Sequence, residues 1–259
     1  MNRTTCALAL IAVVATAHSA AAQGAPKNGV DVLTRMHDAY AGTWYHTLTF
    51  TQRTTQYRPD GTTVDATWYE SLRHTPDKGV QLRIDVGAPS AGNGMLYTAD
   101  STARFRAGAL TSAGPGGNEF LPMIEGVYVQ PVEKTVAELK TTRVDLSKVA
   151  QGSWEGRPVW MVGVTSAADS TAPQFWIDAD RKVVVRMILV PAPSAPVMDI
   201  RLGKYERLGG GWLATRIDML VGGKPRQTEE YSGWKADIAL APGLFDPATW
   251  TTAPHWFKP

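Results

Sequence analysis

Residues 44–51 alternate without a break: Trp44, His46, Leu48 and Phe50 interleave with Tyr45, Thr47, Thr49 and Thr51. A two-residue period puts one set on each face of a strand, and β-branched and aromatic side chains suit that pleated surface. The turn that follows is explicit. In Arg58-Pro59-Asp60-Gly61, Pro presets φ, Asp bonds its own backbone and Gly accepts positive φ, so the chain folds back as a hairpin. The pattern continues through residues 63–73, a turn at Pro76-Asp77-Lys78-Gly79, and the strict alternation of Val80, Leu82, Ile84 and Val86 with Gln81, Arg83 and Asp85. Residues 94–98 and 103–106 complete five strands in meander order. The second half predicts six more, at 159–164, 174–177, 182–190, 197–206, 212–221 and 227–235, with turns at Asp178-Ala179-Asp180, Gly209-Gly210-Gly211 and Gly222-Gly223. About eleven strands with short connections argue for an antiparallel, mainly β (α+β) protein and against a parallel sheet with crossover helices.

Helices are expected in two places. Val30, Leu33, Met36 or His37, and Tyr40 recur at helical spacing, with Asn28 or Asp31 as cap and Gly42 after the end. Midway, residues 107–118 are rich in Gly, Ser, Thr and Pro and read as a loop. Residues 119–127, carrying Phe120, Leu121, Met123 and Ile124, and residues 131–141, opened by Pro131, read as two short helices.

Ahead of all this, Arg3 precedes an apolar run at residues 6–17 and an A-x-A site at Ala20 and Ala22. That order predicts a signal peptide over residues 1–22, with a buried N-terminal helix as the alternative, and no later segment reaches the roughly 18 apolar residues of a membrane helix. Cys6 is the single cysteine and lies inside the run. Residues 23–259, expected to form one domain, therefore have neither disulfides nor thiolate metal sites and depend on a hydrophobic core. With 26 Lys and Arg against 24 Asp and Glu, and no basic cluster longer than Arg181-Lys182, nothing favours a nucleic-acid partner.

Local signatures of catalysis are missing. There is no G-x-S-x-G elbow, H-E-x-x-H pair, Walker loop or Rossmann fingerprint, and Gly114-Pro115-Gly116-Gly117 lacks the strand-to-helix context such loops need. His37, His46, His74 and His255 are scattered, and Asp178 with Asp180 reads as a turn; neither a cofactor nor a metal is expected. A carboxylate pair for glycoside chemistry would leave no local spacing to read.

The order of elements resembles the bacterial lipoprotein carriers, the LolA/LolB-like outer-membrane lipoprotein-sorting proteins, and more distantly the lipid-sensing domain of RseB. The resemblance runs from Leu33-x-x-Met36-x-x-x-Tyr40 into Leu48-Thr49-Phe50-Thr51-Gln52, through Trp68-Tyr69 to Arg73 and Pro76, then Leu96-Tyr97-Thr98-Ala99-Asp100, Phe175-Trp176-Ile177-Asp178 and Leu244-Phe245-Asp246-Pro247. It implies a half-open antiparallel β-barrel with a helical lid, whose concave face holds acyl chains. On that basis Leu48, Phe50, Leu82, Ile84, Met95, Tyr97, Val162, Met187, Ile200, Ile217 and Met219 are the candidate lipid-binding wall. The lid is carried by Phe120, Leu121, Met123 and Ile124. The same alternation would also fill a solid core. The resemblance further implies that Arg73 bonds lid carbonyls, although His74 and Thr75 interrupt the carriers' Arg-Pro pair; a solvated strand-end arginine is the other reading. As a monomeric periplasmic carrier, the protein would exchange lipoproteins or other lipids with inner- and outer-membrane transfer proteins. An RseB-like sensor or interaction module and a secreted enzyme on a β-scaffold are the contrasting functions.

Overall fold

Asn28 opens the first helix: its side chain accepts the backbone N–H of Asp31 at 2.9 Å, satisfying one of the donors that a helix start leaves free. In the computed structural model, which describes residues 24–192 and 194–258, α1 spans Gly29–Tyr40. The expected signal segment lies outside the described residues. The buried stripe of α1 is Gly29, Val32, Leu33, Met36 and Tyr40, while Val30 is 41 % exposed. Val32 thus replaces Val30 in the expected face. Gly29 is needed for this approach, since a Cβ there would stand 2.6 Å from Val162 Cγ1.

Thirteen strands follow: β1 (Thr47–Tyr57), β2 (Thr63–Thr75), β3 (Gly79–Val86), β4 (Gly94–Tyr97), β5 (Ser101–Arg106), β6 (Ala109–Pro115), β7 (Val149–Trp154), β8 (Arg157–Val162), β9 (Gln174–Asp178), β10 (Val184–Leu189), β11 (Met198–Leu208), β12 (Gly211–Val221) and β13 (Lys224–Ala236). They form one sheet in the order β6-β5-β4-β3-β2-β1-β13-β12-β11-β10-β9-β8-β7, with every pair antiparallel. Two meanders therefore meet where β1 lies between β2 and β13. The sheet does not close, and β6 and β7 are its free edges: a half-open barrel.

Those edge strands account for the two extra elements. β6 occupies the stretch that reads as a loop, and all its residues are exposed. With no buried face, nothing in its sequence had to alternate, yet its backbone completes the ladder with β5, for example Thr102↔Gly114. β7 is a short, half-exposed strand paired to β8, and its sequence is equally uninformative.

Between the edges in sequence comes the helical insert, in the expected place but more broken than its pattern predicts. A π-helical turn at Pro122–Gly126 runs into α2 (Val127–Val129), Gln130 is extended, α3 spans Val132–Glu138 and a 3-10 turn at Leu139–Thr142 ends it. Together with α1 the insert packs into the concave core, joining Val32, Met36, Met123 and Val127 to Leu48, Leu82 and Ile200.

The convex face has its own cover. After β13 the tail forms 3-10 turns at Pro242–Phe245 and Pro247–Thr249 and lies across β3, β4 and β5. Trp250 stacks on Phe105 with ring centroids 4.1 Å apart and planes 2° from parallel, while Trp256 Nε1 donates to Ser71 Oγ at 2.8 Å. These tryptophans cover a sheet face. Consequently the first seven residues of β3 are all buried, alternate ones toward the concavity and the rest under the tail.

Candidate functional site

Cross-strand register stacks the concave side chains in rows. One row runs Tyr97, Leu82, Leu72, Leu48 from β4 to β1; the next runs Met95, Ile84, Glu70, Phe50. From the other half, Met187, Ile200, Met219 and Gln227 align across β10 to β13, and Leu202, Ile217 and Glu229 across β11 to β13. With Phe120, Leu121 and Ile124 of the insert, these rows enclose a cavity of about 300 Å³, at the lower end of volumes typical of small-molecule sites.

Ten candidate wall residues line it: Leu48, Phe50, Leu82, Ile84, Met95, Tyr97, Met187, Ile200, Ile217 and Met219. Val162 does not. Through Phe175 it shares the row of Met187, but α1 sits on it at Gly29 and fills the space. Among the candidate lid residues, Met123 is fully buried in the core without reaching the cavity, whereas its three companions line it.

Arg73 requires a correction. Side chains alternate along a strand, so with Leu72 on the cavity wall, Arg73 must point to the convex face. There its Nη2 donates to Gln81 Oε1 at 2.7 Å, its Nη1 to the Pro242 carbonyl at 3.5 Å, and its guanidinium lies 4.4 Å from the Phe245 ring centre. It holds the tail and makes no bond to the insert. Arg73→Leu is therefore expected to leave amide hydrogen exchange over residues 120–139 unchanged while raising it in residues 240–246; faster exchange confined to the insert would contradict this placement.

What fastens the insert is a buried acid. Glu125 accepts Trp44 Nε1 at 2.9 Å and Tyr45 Oη at 2.8 Å, both from the junction of α1 and β1. Trp44 stacks on Tyr128 of the insert with centroids 3.8 Å apart, Tyr40 meets both rings edge-on, and Tyr128 Oη donates to the Lys182 carbonyl at 3.1 Å. Burial pushes the Glu125 carboxyl up to about 7, against the pull of its two hydrogen bonds. The available sequence signal was an acid inside the apolar run from Phe120 to Val127.

Two more acids stand in the wall. Glu70 is 4 % exposed, and burial, then the charge of Glu229, pushes its carboxyl well above the usual range. Burial likewise raises Glu229, opposed by hydrogen bonds from Tyr231 Oη at 2.8 Å and Gln227 Nε2 at 2.6 Å. Gln52, Trp68, Leu72 and Tyr231 also line the cavity. None was singled out as wall from the sequence; for Gln52, Glu70 and Glu229 the reason is that polar residues on strand positions read as the solvent face. Among the described residues no group of three His, Cys, Asp or Glu side chains is placed to hold a metal.

No family model and no curated protein matches the sequence. Solved structures do. The chain is similar to a DUF1329 family protein from Desulfovibrio piger, at 13 % identity over 86 % of this chain and 97 % of that one, with a TM-score of 0.60. It is also similar to an outer membrane lipoprotein-sorting protein domain from Vibrio parahaemolyticus, at 10 % identity over 86 % and 98 % of the two chains, with a TM-score of 0.58. The chain thus shares its fold, a half-open antiparallel barrel, with these two solved structures.

Proposed function

We propose that residues 23–259 act as a single-domain, monomeric periplasmic carrier, exported with loss of residues 1–22, that shields acyl chains of lipoproteins or other lipids and passes them between membrane transfer proteins toward the outer membrane. The observation that carries this reading is the cavity itself: about 300 Å³ walled mainly by apolar side chains between the concave sheet and the helices. An acyl chain needs only dry, adaptable walls, and its burial contributes about 0.8 kcal/mol per CH₂. Met95, Met187 and Met219 supply adaptability, since thioether side chains repack around irregular shapes. Among the described residues no helix is long and apolar enough to cross a membrane. The fold shared with the lipoprotein-sorting domain supports the reading at the level of architecture.

A fluorescent fatty-acyl probe should bind saturably. Ile84→Glu should weaken it about ten-fold or more, because a charge in a dry wall forfeits solvation worth several kcal/mol. Ser112→Glu, on the fully exposed β6, should leave it unchanged. Absence of saturable binding, or equal binding by a folded Ile84→Glu protein, would count against the carrier.

A further inference from the structure

Most of the cavity wall is apolar, but one patch is not. Glu70 stands in register between Ile84 and Phe50, and the adjacent row is Trp68, Gln52 and Tyr231. Glu70 is 4 % exposed and lines the cavity, yet among the described residues no hydrogen bond reaches either of its oxygens. Trp68 Nε1 is buried beside it without a partner. Glu229, also on the wall, is already engaged by Tyr231 and Gln227. Buried polar groups are ordinarily paired, so an indole N–H without a partner beside a cavity-facing carboxyl that accepts no bond from the protein leaves a place for a polar ligand group.

We propose that this patch binds the polar end of an amphiphile and that the group it takes is a protonated primary amine, an inference that rests on the carrier reading above. The wall contains acidic groups and no Lys or Arg. An ammonium offers three donors and the missing positive charge, so it can satisfy both idle Glu70 oxygens while offsetting the field of Glu229. A carboxylate or phosphate would meet two buried acids. An alcohol would supply a donor but no charge. The competing cation is Arg104, exposed on β5, whose Nη1 lies 3.8 Å from Met95 Sδ; an anionic headgroup would have to sit there instead.

Calorimetry with decylamine, decanol and decanoate, each below its micelle concentration, separates the cases on wild-type protein. Decylamine should bind roughly ten-fold or more tightly than either of the others, as a charge-assisted hydrogen bond predicts. Glu70→Gln, which keeps shape and removes charge, should reduce decylamine to the affinity of decanol; Glu229→Gln should reduce the preference in part. Glu230→Gln, a half-exposed partner of Arg216, should keep the full preference. Equal affinity of the amine and the alcohol overturns the amine site and leaves the carrier standing. Preference for decanoate overturns it in favour of Arg104. Binding of none of the three removes the carrier reading and this inference with it.

Discussion

Asp85→Ala is expected to destabilise the protein by about 3–5 kcal/mol, the usual result of leaving one member of a buried ion pair without its partner. Arg83 and Asp85 lie two apart on β3, pointing away from the cavity, with side chains 3 % and 0 % exposed. Their contact is bidentate, Nε to Oδ2 and Nη2 to Oδ1 at 2.8 Å each. The remaining guanidinium donors reach the tail: Nη1 the carbonyl of Leu244 at 3.1 Å, and Nη2 that of Trp250 at 2.9 Å. The guanidinium also lies 3.8 Å from the Trp250 ring centre, and His255 Nε2 is 3.2 Å from Asp85 Oδ2. Without Asp85 the guanidinium stays under the tail, holding two carbonyls and an indole but no counter-charge. The tail should then detach, exposing residues 240–250 to proteolysis before the sheet unfolds. Arg83→Met combined with Asp85→Ala should cost less than Asp85→Ala alone, because no unpaired charge remains. Urea unfolding at constant slope measures both; a loss below about 1 kcal/mol for the single change would show the pair to be energetically idle.

That ion pair also shows where sequence reading ends. Gln81, Arg83 and Asp85 alternate with Val80, Leu82 and Ile84, and the period assigns the two sets to opposite faces, as the structure does. Period alone cannot say that the polar face is buried, because the tail covering it is more than 150 residues away in sequence. Parity decides Arg73 in the same way: once Leu72 is on the concave wall, Arg73 is on the convex side, and a motif taken without parity sends it to the wrong partner. Strands with one dry face were legible. β6, which has none, and β7, whose residues are at most half-buried, were not. In the cavity, Leu48, Phe50, Leu82 and Ile84 could be read because apolar alternation and concave exposure coincide there. Glu70, Glu125 and Glu229 could not, since an acid among β-strand or helix positions is ordinarily solvated, and only three-dimensional enclosure turns it into a buried group with its own energetics.

For Glu125 those energetics set the sign of a pH effect. Its carboxyl is raised from 4.5 in the unfolded chain to about 7 in the folded one, so between these values the native state binds more protons than the unfolded state. Its stabilising contribution is therefore complete below pH 4.5, is lost as pH rises through about 7, and is absent above that. On the order of 3 kcal/mol is at stake across this window. Glu70 and Glu229 are shifted in the same direction and add to the slope, whereas Asp85 opposes it in acid: burial works to raise Asp85, but its bonds to Arg83 and His255 prevail and hold it low. Wild-type protein should thus melt at lower temperature at pH 8 than at pH 5.5. Glu125→Gln should flatten a large part of that slope, because an amide still accepts from Trp44 or Tyr45 but has no charge to desolvate. Glu125 joins the insert to Trp44 and Tyr45, so the same titration should appear locally. Exchange over residues 120–139 should speed up on going from pH 5.5 to 8, beyond the intrinsic base-catalysed rate, and the excess should vanish in Glu125→Gln. A wild-type melting temperature that does not fall across that range, or an unchanged slope in the variant, would mean that the carboxyl stays charged in the folded protein and that its two hydrogen bonds outweigh burial.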